Sequence, residues 1–109
     1  MTKRERDICE SMGWTVSPYD TCVDLQKFSP AGEDFIFTVT EPDNFTEGVR
    51  AYADNFDIDE HIAMWIMARQ NGVGGIHSVR DLVKDAEDID AMLGELAMEL
   101  CKAKGGQEP

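Results

Sequence analysis

The chain has 109 residues, 42% of them hydrophobic, and Asp and Glu outnumber Lys and Arg by 22 to 10, for a formal net charge of −12. This hydrophobic content excludes a disordered chain, and the sign of the charge excludes a basic nucleic-acid-binding surface. No apolar run approaches the roughly 20 residues that span a bilayer, and no apolar segment follows the charged N-terminus, so we expect a cytoplasmic protein. Three widely spaced cysteines without a C-x-x-C pair indicate reduced thiols: Cys9, Cys22 and Cys101.

The first half of the chain predicts one helix and three strands. Thr2 followed by Glu5 is a capping-box pattern, and it predicts a helix that ends at Gly13. Alternating and β-branched residues then predict three short strands separated by turn residues, at 14–16, 22–28 and 35–40. Because the connections between them are short, we expect a three-stranded antiparallel meander.

The second half predicts three helices. The first, capped by Asp43 or Asn44, has an apolar stripe at helical spacing that consists of Phe45, Val49, Tyr52 and Phe56. The second, capped by Asp59, is apolar almost all round, which predicts that it forms the buried centre of the fold with Ile62, Trp65 and Ile66 facing inward. A glycine-rich run at 71–75 ends it, and Ser78 is the expected cap of the last helix.

The last helix has the most regular pattern in the chain. Its apolar residues recur at alternating steps of three and four and form a heptad seam: Val79, Leu82, Ala86, Ile89, Leu93, Leu96 and Leu100. We prefer the interpretation that the seam packs on the domain's own sheet and helices, and we leave open a homodimer through this helix. The prediction is a single α+β domain over 1–104, in which an N-terminal helix and three C-terminal helices pack on the meander, and a disordered tail over 105–109.

The acids are concentrated in two blocks. Residues 41–60 hold seven acids and one base, net −6, and residues 85–109 hold seven acids and two bases, net −5. On the last helix five acids are predicted to share the face opposite the seam, and we call them the acidic stripe: Asp81, Asp85, Asp88, Glu95 and Glu99. In the first block Glu47, Asp54 and Asp57 are not among the acids expected to favour a helix dipole from its first turn, and we expect them to support the stripe.

Such rows of carboxylates are candidates for partner binding. Acids four residues apart on a helix are about 6 Å apart along its axis, similar to the phosphate spacing of a nucleic-acid strand. A surface of this kind competes with nucleic acid for a groove lined by Arg and Lys. The alternative, which the sequence leaves open, is an ordinary solvated helix face that only maintains solubility.

We find no catalytic, cofactor or metal motif and expect no cofactor. The run Asp57–His61 places carboxylates beside an imidazole but has no second His or Cys at ligand spacing, so we interpret it as helix caps plus an exposed or satisfied His61. Gly72–Gly75 follows a helix and lacks Gly-Lys-Ser/Thr, as expected for a connector. An enzyme would need a pocket in which His61 or His77 lies beside a carboxylate.

Three stretches carry a resemblance to a known group of proteins. They are Ser29–Phe35, Asn55–His61 with Met64-Trp65, and Ser78–Val83 with Asp85-Ala86 and Met92-Leu93. Together with Trp14–Val16 they are similar to small acidic proteins encoded by phages and conjugative elements of gut Firmicutes, over most of residues 13–100. Small acidic proteins of this origin include anti-CRISPR inhibitors of type II RNA-guided nucleases. The resemblance brings no catalytic residues with it.

We therefore expect a non-enzymatic inhibitor whose acidic stripe, supported by Glu47, Asp54 and Asp57, occupies the basic nucleic-acid channel of a host defence nuclease. Its partner would be a basic protein, with no direct contact to nucleic acid or membrane. The competing hypothesis is an assembly or regulatory module of a mobile element. In that case the seam dimerises or the methionines Met64 and Met67 dock on another protein, and the acids serve only solubility.

Overall fold

The computed structural model describes residues 1–70 and 79–105, and it has the predicted α+β architecture. In chain order the elements are α1 (Lys3–Ser11), β1 (Thr15–Pro18), β2 (Val23–Phe28), β3 (Asp34–Val39), a short 3-10 helix (Pro42–Asn44), α2 (Phe45–Asn55), α3 (Ile58–Gln70) and α4 (Val79–Gly105). The predicted glycine-rich break at 71–75, the Ser78 cap and the tail beyond residue 105 lie outside the described residues.

Local hydrogen bonding fixes α1 as the sequence predicts. Thr2 Oγ1 accepts from the Glu5 backbone N–H at 3.1 Å, and Glu5 Oε1 accepts from the Thr2 N–H at 2.7 Å, which completes the capping box. At the other end, Gly13 has a φ of 91°, a backbone conformation that only glycine adopts without strain. The chain turns there and enters β1.

The three strands form an antiparallel sheet in the order β1-β2-β3, which confirms the predicted meander. Leu25 of β2 pairs with Val16 of β1 and with Phe37 of β3. The side chains that alternate with polar residues along the strands are buried on one face: Val16, Val23, Leu25, Phe35, Phe37 and Val39. The hydrophobic pattern therefore sets which face of the sheet meets the helices.

α2 and α4 cover the buried face of the sheet. Phe45 and Val49 of α2 are at most 1% exposed, and Phe37 stacks on Tyr52 with 4.5 Å between ring centroids. A Cβ atom on Gly48 would lie 2.7 Å from Val39 Cγ1, so glycine is what lets α2 approach β3 this closely. The predicted stripe on α2 is confirmed.

The apolar seam of α4 lies inside the molecule. Each of its described residues is at most 1% exposed: Leu82, Ala86, Ile89, Leu93, Leu96 and Leu100. Met92 and Ala97, beside the seam, are 8% exposed and join the same core as the sheet and α2. The seam therefore packs within the domain, as the preferred interpretation predicts.

α3 is not the buried centre of the fold, and that prediction is wrong. Met64 and Met67 are both 63% exposed, and Ile66, expected to face inward, is 36% exposed. α3 contacts α4 and the β2–β3 loop but lies at the edge of the core, so only part of its circumference is covered. Composition alone led to the error, because apolar residues all round a helix predict burial only where neighbours are available on every side.

No helix in the described part of the chain is long and apolar enough to cross a membrane. All three cysteines are free thiols, with Cys9 fully buried and Cys22 and Cys101 partly buried. The buried Cys9 packs with Trp14 in the core, in the role of a small apolar residue.

Candidate functional site

A group of polar side chains lies where the β2–β3 loop meets α3 and α4. Trp65 Nε1 donates a hydrogen bond to Glu33 Oε1 at 2.5 Å, and His61 Nε2 lies 3.3 Å from Glu33 Oε2. Asp85 approaches from α4, and one polar atom from each of Glu33, His61 and Asp85 lies within 4.8 Å of the other two. We call these three residues, together with Ser29 and Trp65, the Glu33 cluster.

Asp85 is the most deeply buried member of the cluster, with 1% of its surface exposed. Ser29 Oγ donates a hydrogen bond to Asp85 Oδ1 and accepts one from the Glu33 backbone N–H at 3.0 Å. Asp85 Oδ2 has no hydrogen-bond partner in the described structure. A buried carboxylate oxygen without a donor costs free energy, so the cluster has an unsatisfied position that a proton or a cation would fill.

The cluster changes the protonation of two of its members. Burial, followed by the hydrogen bond and negative charge of Asp85, raises the pKa of Glu33 to about 8, against the opposing effect of the Trp65 hydrogen bond. Burial also lowers the pKa of His61, although the Asp85 charge opposes this. At neutral pH Glu33 is therefore largely protonated and His61 is largely neutral. A proton shared between Glu33 and Asp85 is one candidate occupant of the unsatisfied position at Asp85 Oδ2.

Glu33, His61 and Trp65 form one end of a cleft of about 550 Å³. Its walls are aromatic and aliphatic, and the acids Asp34, Asp57 and Glu60 also line it. The apolar part of the lining includes Phe35, Ile36, Tyr52, Phe56 and Met64. A cleft of this size and polarity is in the range that binds small molecules or a partner's side chain.

The pocket that an enzyme would require is thus partly present, because His61 lies beside a carboxyl group in a cleft. The described lining residues include no Ser, Thr, Cys or Lys, but they do include carboxyl groups, an imidazole and a phenol, which also act as nucleophiles in some enzymes. Both oxygens of Glu33 are in contact with neighbours, Trp65 on one side and His61 on the other.

Burial of Asp85 corrects the prediction that it belongs to a partner-binding surface. Asp85 follows Leu82 by three residues and precedes Ile89 by four, so at 3.6 residues per turn it shares their side of α4. Leu82 and Ile89 are at most 1% exposed. The acidic stripe consequently lies beside the seam and not opposite it, and its member nearest the seam points into the protein.

The other members of the stripe remain at the surface but carry less unpaired charge than expected. Asp81, Glu95 and Glu99 are exposed, and Asp88 is partly exposed. Asp88 forms an ion pair with Lys84 at 3.2 Å, and Glu99 pairs with Lys102 at 3.6 Å. Local pairing of this kind weakens the case for the stripe as a continuous row of carboxylates.

The three supporting acids of the first block have individual structural contacts. Glu47 lies 3.6 Å from Lys104 and Asp54 lies 3.9 Å from Arg50, both as exposed ion pairs. Asp57 Oδ1 accepts a hydrogen bond from the Glu60 backbone N–H at 3.0 Å, so Asp57 caps α3. The prediction that Asp59 is this cap is therefore wrong.

A second acidic site lies between the α2–α3 junction and α4, and we call it the acidic groove. It is an open groove of about 770 Å³ whose described lining includes no Lys or Arg. Five carboxylates line it: Asp54, Asp57, Asp59, Glu87 and Asp90. The structure therefore brings Asp54 and Asp57 next to two acids of α4, Glu87 and Asp90. Neither of these two belongs to the acidic stripe.

Sequence analysis missed Glu33, Trp65 and Ser29 as members of one cluster, and Glu87 and Asp90 as members of the groove. Glu33 and His61 are 28 positions apart, and Ser29 and Asp85 are 56 apart, so no local spacing relates them. One signal was present: the three stretches that carry the resemblance contribute Ser29 and Glu33, His61 and Trp65, and Asp85, which all meet at this point.

A scan against protein-family models, a search of curated proteins and a search of solved structures each found no match to this chain.

Proposed function

We propose that this protein is a non-enzymatic inhibitor that presents carboxylates to a basic nucleic-acid-binding channel of another protein. The observation that supports the proposal is the acidic groove, in which acids from two distant segments line one open surface with no Lys or Arg among the described lining residues. Concentrated negative potential in a concave surface attracts a basic partner and accelerates its association.

The groove replaces the acidic stripe as the main contact in this proposal. Asp85 is buried, Asp88 and Glu99 are paired with lysines, and only part of the stripe is left to act at a distance. In the groove, Glu87 and Asp90 extend the acidic surface of Asp54 and Asp59 onto α4. The carboxylates would take positions that nucleic-acid phosphates occupy on the partner.

The resemblance to acidic proteins of phages and conjugative elements names the partner class. We propose a host defence nuclease, with a type II RNA-guided nuclease as the first candidate, met in the cytoplasm of the bacterial host. The net charge of −12 argues against direct contact with nucleic acid.

The test is inhibition of DNA cleavage by a guide-loaded type II RNA-guided nuclease, together with capture of partners from a nuclease-treated Firmicutes lysate. The groove variant carries D54K, E87K and D90K, and the matched stripe variant carries D81K, E95K and E99K. Each triple variant removes six units of negative charge from the total of −12, so overall charge is controlled. We expect the groove variant to lose about 10-fold or more of its inhibition and the stripe variant to lose at most a few-fold.

Salt separates electrostatic recognition from other modes. Between 50 and 200 mM salt we expect binding to weaken and the association rate to fall, because charge steering is screened. Equal losses in the two variants would indicate that only overall charge matters. Binding that ignores salt and survives both triple reversals would overturn the carboxylate mechanism.

One observation favours a second candidate, a docking module of a mobile element. Met64 and Met67 are exposed on α3 and offer an apolar, adaptable surface for another protein. A homodimer through α4 would have to use faces other than the seam, where Met98 is 62% exposed, because the seam is already buried within the chain. Replacing both α3 methionines by Gln abolishes partner capture if this candidate is correct, and leaves capture unchanged if the groove makes the contact.

A further inference from the structure

We propose that the Glu33 cluster binds a divalent transition-metal ion, with zinc as the reference metal, through Glu33, His61 and Asp85. The inference goes beyond the proposed function and does not depend on it. It starts from the fact that three potential ligands come from three separate elements, the β2–β3 loop, α3 and α4, and meet within 4.8 Å.

The separations suit an ion. Two ligand atoms that each bind zinc at 2.0 to 2.2 Å with a tetrahedral angle lie about 3.3 Å apart. His61 Nε2 and Glu33 Oε2 are 3.3 Å apart, which matches this spacing. The widest separation in the cluster, at most 4.8 Å, needs a side-chain movement of no more than about 1.5 Å to reach it.

Neighbouring donors already orient the two carboxyl groups. Trp65 Nε1 holds Oε1 of Glu33, and Ser29 Oγ holds Oδ1 of Asp85. The second oxygen of Glu33, Oε2, lies 3.3 Å from His61 Nε2, and the second oxygen of Asp85, Oδ2, has no hydrogen-bond partner in the described structure. Hydrogen bonds of this kind around the ligands are typical of metal sites, where they fix the orientation of the carboxylates.

Asp85 provides the independent observation that something is missing from the cluster. It is 1% exposed, and its Oδ2 has no hydrogen-bond partner in the described structure. A divalent cation would contact this oxygen and displace the Glu33 proton into solvent, so that the ion's two positive charges balance the two carboxylates and the imidazole stays neutral. One nitrogen and two oxygen ligands suit zinc or manganese better than calcium or magnesium, which prefer oxygen alone.

The cluster is also accessible from outside. The side chains of Glu33 and His61 are 7% and 14% exposed, and both line the cleft described above. An ion therefore has an entry path, and a water molecule has room to complete the coordination from the cleft side. Bound there, the ion would tie the β2–β3 loop to α3 and α4.

Isothermal titration of chelator-treated protein with ZnCl₂, and with MnCl₂ in parallel, tests the site. Because the partly buried thiols Cys22 and Cys101 also attract zinc, the titrations use a background in which both are Ser. We expect one ion per chain and an increase in melting temperature of roughly 5 °C or more at saturating metal. E33Q and H61Q should each weaken binding at least 10-fold, whereas the matched neutralisation E60Q, on the cleft wall, should not.

Two outcomes overturn the proposal. One is the absence of stoichiometric binding in the Cys-to-Ser background, which would leave a proton shared between Glu33 and Asp85 as the occupant of the cluster. The other is binding that E33Q and H61Q leave unchanged. If either variant fails to fold, the imidazole nitrogen resonances of His61 in the unsubstituted cluster decide, because ligation through Nε2 shifts that resonance during the metal titration. This experiment measures metal binding and not nuclease inhibition. A negative result therefore rejects the metal site without bearing on the acidic groove, and the reverse also holds.

Discussion

Acids in the interior and on the surface of α4 behave in opposite ways, although they belong to the same helix. Asp85 is 1% exposed, bound by Ser29 and placed beside Glu33, so its charge acts at short range and changes the protonation of a neighbour. Glu95, ten positions further along, is exposed to solvent. The comparison shows that the environment of a carboxyl group, and not its position in a charged run, decides whether it acts on the fold or on a partner.

The largest expected change in the free energy of unfolding comes from removing an interior acid. D85A leaves the Ser29 hydroxyl without its acceptor and opens a gap beside the core, and we expect the free energy of unfolding to fall by about 1–3 kcal/mol. Urea denaturation measures it, with D88A as the matched change on the surface of the same helix. A loss for D85A no larger than that for D88A would show that the buried hydrogen bond contributes nothing.

The next effect is a change in pH dependence, measured on chelator-treated protein. The folded chain holds the Glu33 proton up to a pKa of about 8, whereas the unfolded chain releases it near 4.5. Between these values the unfolded state binds fewer protons, so this group lowers stability as pH rises. E33Q removes the titration, and we expect its stability relative to the unsubstituted protein to increase steadily from pH 5 to pH 8.

The depressed pKa of His61 acts in the opposite direction, because the unfolded chain binds that proton more readily. E33Q and the unsubstituted protein both contain His61, so subtracting the free energy of unfolding of one from that of the other at each pH removes most of the His61 contribution. E60Q, which neutralises an exposed acid on the same cleft, serves as the matched control. A constant difference for E33Q would contradict a raised pKa at Glu33.

The smallest of the three effects concerns an acid with a local role. Asp57 accepts a hydrogen bond from the Glu60 N–H, and D57A should lower the free energy of unfolding by about 1 kcal/mol. Asp59 lies in the first turn of the same helix, where its charge favours the helix dipole, and D59A should cost a few tenths of a kcal/mol. Thermal denaturation of the two variants ranks them, and the opposite order would restore Asp59 as the cap.

Much of the fold could be predicted because its determinants are local. The capping box of Thr2 and Glu5, the glycine at 13, the alternation along three strands and the seam of α4 all act between residues that are near in sequence. Short connections left the meander as the simplest arrangement of the strands. Those elements formed where the sequence predicts them because caps, turns and hydrophobic periodicity specify each one locally and give it a single apolar face.

The site could not be predicted in the same way, since its members are distant in sequence. Asp85 looked like one acid among several, and only the approach of Ser29 and Glu33 to α4 distinguishes it. Glu87 and Asp90 belong to the groove because α4 passes the α2–α3 junction at that point. The exposure of Met64 and Met67 has the same cause, as it depends on which neighbours α3 meets.

The sequence by itself determined the order and type of the elements, the buried face of the sheet, the seam of α4 and the excess of acidic charge. The tertiary structure alone decided which acids became interior groups and which remained at the surface. The physical reason is the difference in range: helix caps and hydrophobic periodicity operate over a few residues, whereas burial and a shifted pKa depend on contacts between segments far apart in the chain.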